Sequence, residues 1–75
     1  MKFTIDFGYY FLGANIFAAT IVKQYGVEKC HIEKDSARSV VEFQCDDLDN
    51  ITFIFSFLDS NYRFSIKSVD VVKDA

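Results

Sequence analysis

Between Phe3 and Phe11 the apolar side chains fall on every second residue. Phe3, Ile5, Phe7, Tyr9 and Phe11 share one side; Lys2, Thr4, Asp6 and Gly8 share the other. A period of two belongs to an extended chain, whose neighbouring side chains point to opposite faces, and aromatic and β-branched residues favour it. The run predicts a first strand over residues 3–11. After Gly13 the rhythm becomes helical. Ala14, Phe17, Ala18, Ile21 and Tyr25 recur at helical spacing, Asn15 can cap the start, and Gly26 suits the left-handed position that ends a helix. A half-buried strand followed by an amphipathic helix demands a sheet with one face under a helix, and that demand sets the fold class.

The remaining residues return to period two. Strands are predicted over residues 28–33 (Cys30 and Ile32 inward), 39–45 (Val41, Phe43 and Cys45 inward), 51–58 (Ile51, Phe53, Phe55 and Phe57 inward) and 62–68 (Tyr62, Phe64 and Ile66 inward). The connections 34–38, 46–50 and 60–61 are short and rich in turn formers. A tight 60–61 turn would set Phe57 against Phe64 and Phe55 against Ile66; a 46–50 hairpin loop would set Cys45 against Ile51 and Phe43 against Phe53. The expected architecture is a single small α+β domain over residues 1–75 in the order β-α-β-β-β-β, one helix packed on a curled antiparallel sheet. That order is similar to the cystatin-like topology. The cystatin signatures, a Gln-x-Val-x-Gly loop and a Pro-Trp pair, are absent from a chain with no Pro or Trp, so the likeness implies no site.

Seventy-five residues, 51% of them apolar, can build one small core and not two. The charge-free stretch Phe7–Val22 is 16 residues long, short of the roughly 17–25 that span a bilayer. It also lacks a basic leader, since Asp6 follows Lys2, and is read as core. Two cysteines are too few for a secreted disulfide scaffold, so a reduced cytoplasmic protein with two buried thiols is expected. A turn centred on Ala37–Arg38 would bring Cys30 opposite Cys45; one centred on Ser36–Ala37 would bring it opposite Phe43.

No constellation of catalytic residues emerges. His31 lies outward between Lys29 and Glu33, and Cys30 and His31 point to opposite faces, so they cannot share a zinc ion. Gly8-x4-Gly13 has the spacing of a phosphate loop, but Ala14 and Asn15 stand where Lys and Ser/Thr would grip phosphate. Asp46-Asp47-Leu48-Asp49-Asn50 lacks the glycine and the length of a calcium loop. No enzyme activity, metal or cofactor is expected.

Charge is the more informative signal. The net charge is −3, and from Ser39 to Tyr62 there is no Lys or Arg, while Glu42, Asp46, Asp47, Asp49 and Asp59 contribute five negative charges. Such a chain is unsuited to displacing counterions from phosphates, which argues against direct nucleic-acid binding and for a larger protein with a basic surface. The expected contact residues are Asp46, Asp47, Leu48 and Asp49 in the loop, with Glu42 and Ile54 on an outer sheet face. There Glu42, Ile54 and Lys67 would form one row, Val40, Ser56 and Ser65 another, with Leu58 adding apolar surface. The expected function is a non-enzymatic acidic protein-binding module: an inhibitor of a nucleic-acid-handling defence enzyme, of the phage or mobile-element anti-CRISPR type. The alternatives are an immunity or antitoxin protein that blocks a nuclease toxin, and a structural homo-oligomer such as a homodimer.

Overall fold

The computed structural model describes residues 1–34 and 37–73. The first strand, β1 (Lys2–Asp6), buries Phe3 and Ile5, as the alternation requires, and Phe7 continues inward just beyond it. The strand stops short of its predicted end because Gly8 takes a left-handed φ of 74° and its N–H donates to Asp6 Oδ1 at 2.7 Å. Tyr9, expected inward, is thereby turned out to solvent. Helix α1 (Gly13–Tyr25) buries Ala14, Phe17, Ala18 and Ile21 and ends at Gly26, whose φ is 60°. Asn15 does not cap it; Leu12 stands at the capping position, with no side-chain hydrogen bond.

Strands β2 (Glu28–Lys34) and β3 (Ser39–Gln44) form the expected antiparallel pair, and Val41, Phe43 and Cys45 are buried. The register, with His31 opposite Glu42 and Ile32 opposite Val41, is the one expected for a turn centred on Ser36–Ala37. A bulge between Glu28 and His31, with Lys29 at φ 54°, leaves Lys29 and Cys30 together across from Phe43, so Cys30 does not lie opposite Cys45. Both cysteines are free thiols. The centre of the β2–β3 connection, residues 35–36, lies outside the described residues.

The second half of the chain departs from its predicted form. Residues 51–58 are not a strand and 46–50 are not a hairpin loop: Leu48–Tyr62 is a 15-residue helix, α2. The 60–61 turn lies inside that helix, and Arg63–Ser65 adds a short 3-10 turn where a strand over 62–68 was expected. The run permits both readings. Ile51, Phe53, Phe55 and Phe57 repeat every second residue, but Ile51, Ile54, Phe55, Leu58 and Tyr62 repeat at helical spacing. Asp47 decides the start. It is extended (φ −78°, ψ 116°), and its carboxylate accepts the Asn50 N–H at 3.0 Å, capping the helix. The predicted pairings of Phe57 with Phe64, Phe55 with Ile66, Cys45 with Ile51 and Phe43 with Phe53 fall with the strands.

The last strand, β4 (Ser68–Val72), pairs with β1. The order is therefore β-α-β-β-α-β, with an antiparallel sheet arranged β2-β3-β1-β4 and both helices on one face. This is the split β-α-β, or ferredoxin-like, order rather than the cystatin-like one, and topology of this kind carries no function by itself. Phe17 sits at the centre of the core. Its ring stacks on Phe57 (centroids 6.1 Å) and meets Phe43 and Tyr62 edge-on at 6.3 and 5.9 Å, while Phe3 stacks on Phe43 at 5.1 Å. Each such ring contributes about 1.5–3 kcal/mol through burial. No helix among the described residues is long and apolar enough to cross a membrane.

Candidate functional site

With both helices on one side, the other face of the four-stranded sheet is open. The strand registers place three cross-strand rows on it: Glu33–Val40–Asp6–Ser68, His31–Glu42–Thr4–Asp70 and Glu28–Gln44–Lys2–Val72. Five acids face one lysine. Some are engaged: Glu42 lies 3.7 Å from Lys2 Nζ, His31 lies 3.7 Å from Glu33, and Asp6 takes the Arg38 guanidinium at 3.2 Å besides the Gly8 amide. Glu28, Glu33 and Asp70 are exposed. The central strands present Lys2, Thr4, Asp6, Val40, Glu42 and Gln44 outward, so they carry none of the aromatic residues on which a base would stack.

The predicted contact residues are only partly brought together. Glu42 belongs to the middle row of the open face, although its neighbours are His31 and Thr4 rather than Ile54 and Lys67. Val40 likewise lies beside Asp6 and Glu33, not Ser56 and Ser65. Ile54 cannot serve as a contact: it is fully buried under α2, as Leu58 nearly is, because the segment is a helix and position 54 turns toward the core. Asp46, Asp47, Leu48 and Asp49 sit together at the start of α2. A polar cleft of about 190 Å³, lined by Glu28, Gln44, Asp46, Asp47 and Asn50 among others, connects Asp46 and Asp47 to the Glu28–Gln44 row; Leu48 and Asp49 lie outside it. The acidic surface thus runs from the sheet face onto the helix start.

These acids also have structural duties. Asp47 caps α2, Asp49 stands in its first turn, where the helix dipole favours negative charge, and Asp46 pairs with the Met1 amino group. Asn50 donates to the Tyr25 carbonyl at 3.3 Å and ties the start of α2 to the end of α1. Leu48 has no such duty and is 72% exposed. At the far end of α2, Arg63 hydrogen-bonds the Asp59 carboxylate at 3.1 and 3.2 Å, and that bond, with the guanidinium charge, holds Asp59 below the usual carboxylate range.

A second exposed cluster escaped the sequence reading. Tyr9, Tyr10, Leu12 and Ile16 project from the β1–α1 loop and the first turn of α1. Phe64, 96% exposed, lies on the 3-10 turn at the same end, where Phe11 meets Tyr62 edge-on at 5.9 Å. The available signal was the pair of glycines, Gly8 and Gly13, bracketing Tyr-Tyr-Phe-Leu: a bracket of that kind breaks the alternation and marks a loop.

Among the described residues no group of three His, Cys, Asp or Glu side chains could hold a metal ion. No protein-family model matches the chain, and no curated protein or solved structure matches it either.

Proposed function

We propose that this chain is a non-catalytic protein-binding module that docks its acidic sheet face on a basic surface of a larger, nucleic-acid-handling protein and inhibits it, in the manner of an anti-CRISPR protein. The observation that carries this reading is the open outer face, with five acids against Lys2 and the Arg38 guanidinium paired with Asp6, and no stacking aromatic on its central strands. Strands lie about 4.8 Å apart and residues along them rise about 3.4 Å, so the carboxylates form a spread array rather than a single point charge. A groove built to receive phosphates attracts such an array by charge complementarity, which steers encounter and excludes nucleic acid from the same surface. The helix start adds Asp46, Asp47 and Asp49 to that field, and Leu48 supplies an apolar side chain at its rim.

The test compares wild type with Glu28→Lys/Glu33→Lys as baits in host lysate, followed by competition with duplex DNA and single-stranded RNA. Both positions are exposed, so the fold should change by no more than about 0.5 kcal/mol per site. The expected result is a basic nucleic-acid-binding protein that is captured by wild type, lost to the variant and displaced by nucleic acid. Capture indifferent to the charge reversal, or direct binding of nucleic acid by the chain itself, would overturn the reading.

A further inference from the structure

We propose that two copies of this chain pair through β4, edge to edge, to form one continuous eight-stranded sheet. The inference does not rest on the function proposed above; it starts from an unfilled part of the core. By register, Val69 lies opposite Ile5 and Val71 opposite Phe3, so both valines belong to the helix-facing side of the sheet. Ile5 and Phe3 are sealed, yet Val69 and Val71 are 39% and 51% exposed. Helix α2 sends Phe55 to the Phe3 ring, with centroids 5.2 Å apart, and its fully buried positions are Ile54 and Leu58. The helix layer therefore leaves a valine ledge uncovered along the outermost strand. All five residues of β4 are exposed, and its outward edge has no neighbouring strand in the sheet order.

The two sheet edges differ in their protection. At β2 the bulge at Lys29 breaks the ladder and the charged Glu28, Lys29 and Glu33 crowd the strand, both of which discourage strand addition. β4 has no bulge and one charge in five residues. The occupant follows from the edge. A second copy presents the same unbulged, unpaired edge, and Lys67–Lys73, with two lysines and one aspartate, carries only +1, so two such edges bring together less like charge than two acidic sheet faces would.

The register follows from the same charges. Two antiparallel strands related by a two-fold axis pair residues symmetrically about one position. Centring on Asp70 would set two carboxylates face to face, and centring on Val69 would recruit Lys67, whose N–H is already given to the Asp6 carbonyl at 2.8 Å. Centring on Val71 sets Val71 against its own copy, Asp70 against Val72, and Val69 against the aliphatic stem of Lys73. An interface of two short edges belongs to the small, weak class, so the dimer should form in a concentration-dependent way.

A cysteine placed at the symmetric position reads the register directly. In a Cys30→Ser, Cys45→Ala background with its circular dichroism checked, Val71→Cys should oxidise to a covalent dimer. Val69→Cys should not, because its partner there is Lys73. Light scattering of the wild type should rise with concentration from 8.6 kDa toward twice that mass, and Val71→Lys should stay at 8.6 kDa with unchanged circular dichroism. A wild type that keeps the mass of one chain at the highest soluble concentration, or equal cross-linking at positions 69 and 71, would overturn the proposal.

Discussion

The Ser39 hydroxyl and the Phe11 backbone bond each other in both directions: Ser39 Oγ accepts the Phe11 N–H at 3.0 Å and donates to the Phe11 carbonyl at 3.4 Å. The main chain of Ser39 extends the clasp, donating to the Tyr9 carbonyl at 2.9 Å and accepting the Phe7 N–H at 3.0 Å. Among the described residues Ser39 is the one buried polar residue, and it holds the tyrosine loop against the start of β3. Ser39→Ala should leave the Phe11 amide unpaired and cost about 1–3 kcal/mol in denaturant unfolding. Hydrogen exchange at Phe11 should speed up more than exchange along α2. An unchanged midpoint would mean that water replaces the hydroxyl at no cost.

Ile54 and Phe53 should answer truncation in opposite ways. Ile54→Ala removes a fully buried side chain and should cost about 2–5 kcal/mol, enough to unfold much of a domain this small. Phe53 is 55% exposed and only stacks on Tyr25 at 6.4 Å, so Phe53→Ala should cost within about 1.5 kcal/mol. Thermal melts of the two variants compare helix and strand directly, because a strand would reverse the order of effects.

Asp47 should matter to stability more than Asp49. Asp47→Ala removes the cap and should cost about 0.5–2 kcal/mol, and Asp47→Ser should restore most of it. Asp49→Asn loses only a dipole interaction of about 0.3–1 kcal/mol, which added salt should shrink further. Chemical denaturation at two ionic strengths separates the two contributions.

The thiols should react in sequence. Cys30 lines a shallow, open apolar groove between α1 and β2, beside Ala18, Val22 and Ile32, and partial burial pushes its thiol above the ordinary range. A raised pKa means less thiolate at neutral pH, so alkylation of the folded protein should be slower than for a free thiol and should accelerate as pH rises. Cys45 is buried and should react only on unfolding. Mass spectrometry after timed alkylation should show one label before two, with no reducing agent needed in the unfolded state.

Local pattern was enough to place β1, α1, β2 and β3, because in the first 45 residues each run fits a single period. Phe3–Ile5–Phe7 fits only a strand, and Ala14–Phe17–Ala18–Ile21 fits only a helix ended by Gly26. The excess of acid was also legible from the sequence alone. Residues 48–62 are different, since their apolar side chains satisfy both periods at once. Tertiary structure decided between them. As a helix, the segment gives the sheet a second covering element, sets Ile54 and Leu58 into the core and stacks Phe57 on Phe17, while Asp47 satisfies the first turn. That choice moved Ile54 from a presumed contact surface to the interior. It also made the acids of residues 46–49 a helix start rather than a loop tip. The outer face was likewise beyond local pattern, because which acids share it depends on strand order: β1 lies between β3 and β4, and only that insertion brings Asp6, Glu33, Glu42 and Asp70 onto one surface.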